Sequence, residues 1–86
     1  MGEIMAELIQ EFAEVLRDAR GREYVASVHG EERGGNWEGW IEFRPLAGGP
    51  ALRTERETTQ PDRSALEYWA TGLEPVYLEG ALARAT

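Results

Sequence analysis

The spacing of apolar residues changes period twice along this chain, and that change restricts the folds open to it more than any other feature. Between Glu3 and Arg20, Ile4, Met5, Leu8, Ile9, Phe12, Val15, Leu16 and Ala19 recur at intervals of three and four. Such spacing predicts an amphipathic helix, because residues three and four apart share one helix face. Glu3, Glu7, Glu11 and Glu14 then fall on the opposite face with Asp18. Arg17 and Arg20 sit in the last turn, where a helix terminus favours positive charge, and Gly21 supplies the stop.

From Arg22 the period drops to two. Tyr24, Ala26 and Val28 alternate with Glu23, Val25, Ser27 and His29, which predicts a strand over 22–29. Gly30 to Asn36 reads as a charged turn longer than a tight hairpin needs. Trp37 to Leu46 alternates again, with Trp37, Ile41 and Phe43 on the core side and Glu38, Trp40, Glu42 and Arg44 on the other. After the turn Ala47-Gly48-Gly49-Pro50, a third and more polar strand spans Ala51 to Thr58, and its charged side chains suit a sheet edge. The three strands are expected to form an antiparallel meander.

Helical spacing returns at Leu66, Trp69, Ala70 and Leu73, so a helix is expected from about Asp62 to Ala70, with Ser64 and Glu67 placed as a capping box. Beyond Gly72 and Pro75, a second short helix is the preferred reading of 74–85. The alternation of Val76, Leu78, Gly80 and Leu82 leaves a fourth strand as the alternative. The expected fold class is therefore α+β, a single domain over 1–86: an N-terminal helix, a three-stranded meander, and one or two C-terminal helices.

Composition narrows the function classes. Sixteen acids against nine Arg, with no Lys, give a net charge of -7, which argues against direct binding to nucleic acid or an anionic membrane surface. The absence of Lys excludes a P-loop lysine and a Schiff base. With no Cys and a single His, the chain lacks the usual zinc ligands, and its carboxylates do not follow a calcium-loop pattern, so neither metal nor cofactor is expected. The acidic start and the lack of a long apolar run fit a cytoplasmic protein. Gly34-Gly35 and Gly48-Gly49 lack phosphate-loop spacing and read as turns.

Three features remain as candidates for function. Trp40 stands among charged residues instead of with Trp37, Ile41 and Phe43, so Trp40, Val25, Glu42 and Arg44 are expected to share a sheet face that needs cover from the C-terminal helices, a second subunit or another protein. Arg53, Arg56 and Arg63, near a strand-to-helix junction, form a candidate anion-binding segment, set against the simpler expectation that they pair with nearby acids. His29 with Ser27 and Glu31 or Glu32 has the residue types of a nucleophile-base-acid unit, but local spacing does not establish one, and no catalytic residue is assigned. The sequence thus favours a small acidic interaction or regulatory module that self-associates. The rivals are a binder or enzyme acting on a small anion, and a charge mimic that presents Glu3, Glu7, Glu11 and Glu14 to a nucleic-acid-binding protein.

Overall fold

A computed structural model describes residues 6–86. The chain runs β1 (Glu7–Arg17), β2 (Glu23–Arg33), β3 (Asn36–Pro45), β4 (Leu52–Arg53), β5 (Thr58–Gln60), α1 (Arg63–Thr71) and α2 (Pro75–Arg84). The five strands form one antiparallel sheet in the order β1-β2-β3-β4, with β5 also pairing with β3. Both helices lie on one face of the sheet, and the result is a small, compact α+β domain.

The expected N-terminal helix is the main correction. Glu7–Arg17 is an edge strand, and Glu3, Ile4 and Met5 lie outside the described residues. The reason is visible in the β1-β2 register. Leu8 pairs with His29 but Gln10 with Val28, and Glu11 pairs with Ser27 but Val15 with Val25, so β1 carries extra residues at two irregularities. Each bulge interrupts the strict alternation of a strand. Ile9, Phe12 and Leu16 consequently reach the core side, while Leu8, Glu11 and Val15 pair with the outward residues of β2. Both sets have intervals of three and four, which is helical spacing produced by a bulged strand.

Three further expectations change. The Gly30 to Asn36 turn shrinks to Gly34-Gly35, both at positive φ (61° and 88°), with β2 and β3 paired up to Arg33 and Asn36. Two left-handed residues are what a tight hairpin turn requires. The third strand is interrupted. At Thr54 the side-chain Oγ1 accepts from Ile41 N at 3.1 Å while Thr54 N donates to Ile41 O at 2.9 Å, so a hydroxyl takes the place of a ladder carbonyl between β4 and β5. Gly21, expected to end a helix, sits at φ 78° in the β1-β2 hairpin, where the same left-handed freedom turns the chain.

Asp18 organises that hairpin. Its Oδ1 accepts from the backbone N–H groups of Arg20 and Arg22, both at 2.9 Å, and Oδ2 accepts from Arg22 Nε at 2.8 Å. Desolvation in the turn pushes the Asp18 carboxyl upward, but the Arg22 backbone N–H, the Arg22 guanidinium and the Arg20 backbone N–H outweigh it and hold the group below the usual carboxylate range.

The C-terminal reading holds, with a helix in both places and none of the alternative strand. Asp62 caps α1 by accepting from Ala65 N at 2.8 Å, so the cap is Asp62, and Glu67 pairs with Arg63 instead of closing a capping box. Pro75 occupies the first turn of α2, where its missing N–H is not needed. Leu66, Ala70, Leu78, Ala81 and Leu82 bury against Tyr24, Ala26, Val28, Ile41 and Phe43. Leu66 packs directly onto Gly30 and Gly39, which are register partners on β2 and β3. A Cβ on either would collide with the Leu66 side chain, and one on Gly30 would also stand 3.1 Å from the Glu38 carbonyl oxygen.

Two predictions follow from this packing. Gly30→Ala is expected to destabilise by about 1–3 kcal/mol through overpacking, and Leu66→Ala by about 2–5 kcal/mol through the cavity it leaves. In urea denaturation the double variant should lose less than the sum, because truncated Leu66 leaves room for the new methyl. For Asp18, whose carboxyl titrates lower in the folded chain than in the unfolded one, the stabilisation is present above the unfolded value and is lost as pH falls through the folded value. Between pH 5 and pH 3 the urea midpoint of Asp18→Asn should therefore fall less than that of the wild type.

Candidate functional site

The helices cover only one side of the sheet. The other side is built by register alone: Val15, Val25 and Arg44 form one row, Glu11, Ser27, Glu42 and Arg53 the next, and Leu8, His29 and Trp40 the third. Trp40, Val25, Glu42 and Arg44, the residues expected to share a face, do so. The sequence reading missed the β1 contribution of Leu8, Glu11 and Val15, because it took that segment as a helix. It also missed Arg53 as the residue above Trp40, although the polar edge strand carrying it was legible.

Trp40 is the centre of this face, and its cover differs from all three sources expected. It is 4% exposed, yet it lies outside the helix-side core. The Arg53 guanidinium stacks over its ring at 4.4 Å from the centroid, and the indole Nε1 donates to Glu42 Oε2 at 3.1 Å. The positive guanidinium lies on the negative face of the ring, and the carboxylate meets its N–H edge. Trp40 is thus buried by its own chain.

His29 stands opposite Trp40 on the neighbouring strand. Its Nε2 lies 3.0 Å from Ser27 Oγ and 3.6 Å from Glu42 Oε1. The acid is therefore Glu42, and neither Glu31 nor Glu32. Both neighbours address the same ring nitrogen, whereas nucleophile activation needs the hydroxyl on one nitrogen and the orienting acid on the other. The cluster is a hydrogen-bonded surface network without the geometry of a catalytic relay. Beside it, the second bulge leaves a shallow depression lined by Glu11, Ala13, Val25, Ser27 and Arg44. Among the described residues no group of three or more acids or His is placed to hold a metal ion, and no helix is long and apolar enough to cross a membrane.

The Arg53 to Arg63 segment does not gather its cations. Arg53 lies on Trp40, Arg56 reaches Glu38 at 3.7 Å, and Arg63 pairs with Glu67 and with Glu7 at 3.1 Å. The segment instead ties the sheet edge to α2: Glu57 accepts from Tyr77 Oη at 2.5 Å and from both terminal nitrogens of Arg84 at 3.0 and 3.1 Å. Burial pushes the Tyr77 phenol up, and its bond to Glu57 adds to that, with Arg84 opposing. The acidic stripe is likewise dispersed, since Glu7 meets Arg63 and Glu11 lies on the uncovered sheet face.

Comparison of the chain with protein-family models, with curated proteins and with solved structures finds no match. Its functional reading therefore rests on the geometry of the sheet face.

The Arg53 stack makes a direct prediction. Arg53→Ala should destabilise the fold by about 0.5–2 kcal/mol, the range for such contacts from exposed to desolvated settings. Arg53→Lys should retain part of that stability in chemical denaturation. Equal stability of Arg53→Ala and the wild type would show that the stacked guanidinium contributes nothing.

Proposed function

We propose that this protein is an interaction module that self-associates through the uncovered face of its sheet. The observation carrying this reading is the distribution of charge. At register positions that face bears Glu11, Glu23, Glu31, Glu38 and Glu42 against Arg17, Arg33, Arg44 and Arg53, and Arg56 reaches onto it from the β4-β5 connection. Five acids meet five Arg there, so the whole net charge of -7 belongs to the rest of the chain. Two copies that repel one another over most of their surface meet least repulsion at this face.

Size and exposure support the same surface. Strands of 10 and 11 residues at about 3.3 Å per residue, beside a short edge strand, give a face on the order of 600 Å², close to the roughly 800 Å² per partner of a standard interface. Leu8 and Val15 are 48% and 49% exposed on it. Glu11 and Arg44 are exposed there in adjacent rows, and neither has an ion-pair partner among the described residues. A twofold axis lying in the plane of the interface, oblique to the strands and bisecting the line from Glu11 on β1 to Arg44 on β3, sets Arg44 of each copy toward Glu11 of the other, as a self-complementary interface requires.

Light scattering across a concentration series tests the reading. The wild type is expected to dimerise. Glu11→Arg and Arg44→Glu should each raise the dimer Kd about tenfold, and the double reversal should restore much of the affinity. A wild type that stays monomeric at millimolar concentration would sink the proposal.

A further inference from the structure

The single imidazole of the chain stands at the middle of this face, in contact with side chains of the central rows. His29 is flanked by Leu8 from β1, with Glu11 one row away; by Ser27 and Glu31 on its own strand; and by Trp40, Glu38 and Glu42 from β3. Arg53 lies above Trp40, and Arg33 and Arg56 gather around Glu38. Neither helix covers the site, and the imidazole side chain is 23% exposed, so a proton reaches it from solvent.

A neutral imidazole has one N–H donor and one acceptor nitrogen, and an imidazolium has two donors. At 3.0 Å from Ser27 Oγ, neutral Nε2 is satisfied by the hydroxyl, and the Glu42 contact stays open at 3.6 Å. Protonation makes Nε2 a charged donor beside a carboxylate whose Oε1 has no closer hydrogen-bond partner among the described residues, Oε2 being held by Trp40. Charge-assisted N–H···O bonds run at about 2.7–2.9 Å, so closure needs only a small movement of the Glu42 side chain. That movement carries the acceptor of the Trp40 indole and lies beneath Arg53, the cross-strand partner of Glu42.

We infer that His29 is a proton-operated latch on this face: on protonation its Nε2 transfers from Ser27 Oγ to Glu42 Oε1, shifting the Trp40 indole contact and giving a charge-balanced surface a net positive charge. The consequence for association rests on the self-association reading. Two faces that each gain a positive charge repel across the interface, so acidification from pH 7.5 to 5.5 should raise the dimer Kd about two- to fivefold.

The test separates the two ideas. NMR titration of dilute, monomeric protein follows the His29 ring, the Ser27 and Glu42 side chains and the Trp40 indole N–H. The latch requires the Trp40 and Glu42 signals to move with the His29 midpoint, and it requires this movement to vanish in His29→Gln, which keeps a neutral donor and acceptor without titrating. Trp40 and Glu42 signals that ignore the His29 midpoint, or that titrate alike in His29→Gln, would overturn it. Light scattering at the two pH values then reports on the coupling: a loss of dimer at low pH in wild type but not in His29→Gln supports it, and equal loss in both overturns it. A chain that is monomeric at both pH values but shows the coupled NMR titration refutes self-association and supports the latch.

Discussion

The seat of Leu66 on the paired glycines of the sheet is the contact on which the helix layer depends. Gly30 and Gly39 face each other across β2 and β3, and the side chain of α1 fills the space where two Cβ atoms would stand. This close approach draws α1 onto the long hairpin, and the following turn brings α2 over the same side, so that Leu78, Ala81 and Leu82 complete the core. Glycine in a strand interior is ordinarily a weakness, and here it is the receptacle for a neighbouring element. The Glu57, Tyr77 and Arg84 network then ties the far edge of the sheet to α2.

Placing both helices on one side leaves the other side of the sheet to be stabilised by its own side chains. An antiparallel sheet tolerates a solvated face, but this one carries a Trp in its centre. The chain resolves that conflict locally, with Arg53 stacked on the ring, Glu42 on its N–H edge and His29 across the ladder. The same cations balance the acids of the face, and the surplus negative charge falls elsewhere. Burial of Trp40 and neutrality of the surface both draw on how Arg residues are distributed from β1 to the β4-β5 connection. The proposed self-association through the uncovered face rests on this balance of charge.

The legibility of these features varied with the regularity of the backbone. In β2 and β3 every residue keeps the pleat, so alternation alone sorted Tyr24, Ala26, Val28, Ile41 and Phe43 to the core and Val25, Glu42 and Arg44 to the outside. Leu66, Trp69, Ala70 and Leu73 kept helical period and were read as a helix. In β1 two irregularities convert a period of two into intervals of three and four, and no periodicity argument separates that pattern from a helix. The turn at 30–36 failed for a related reason. Its charged residues Glu31, Glu32 and Arg33 are strand residues on a solvent-facing hairpin, and only Gly34 and Gly35 turn the chain.

By itself the amino-acid sequence determined the α+β class, the inward set of the central hairpin, the first C-terminal helix, the separation of Trp40 from the core and the acidic net charge, while for residues 74–85 it preferred a helix and left a strand open. Each of these is a local property, set by side-chain alternation, helical spacing or composition. Tertiary structure alone decided that Glu7–Arg17 is a strand, that Arg53 covers Trp40, that Glu42 is the acid beside His29, and that the charge of one face sums to zero. The physical reason is the same throughout: strand register and the choice of which sheet face the helices cover join residues distant in the chain, and those contacts depend on the energy of the assembled layers, which the pattern of any one segment does not contain.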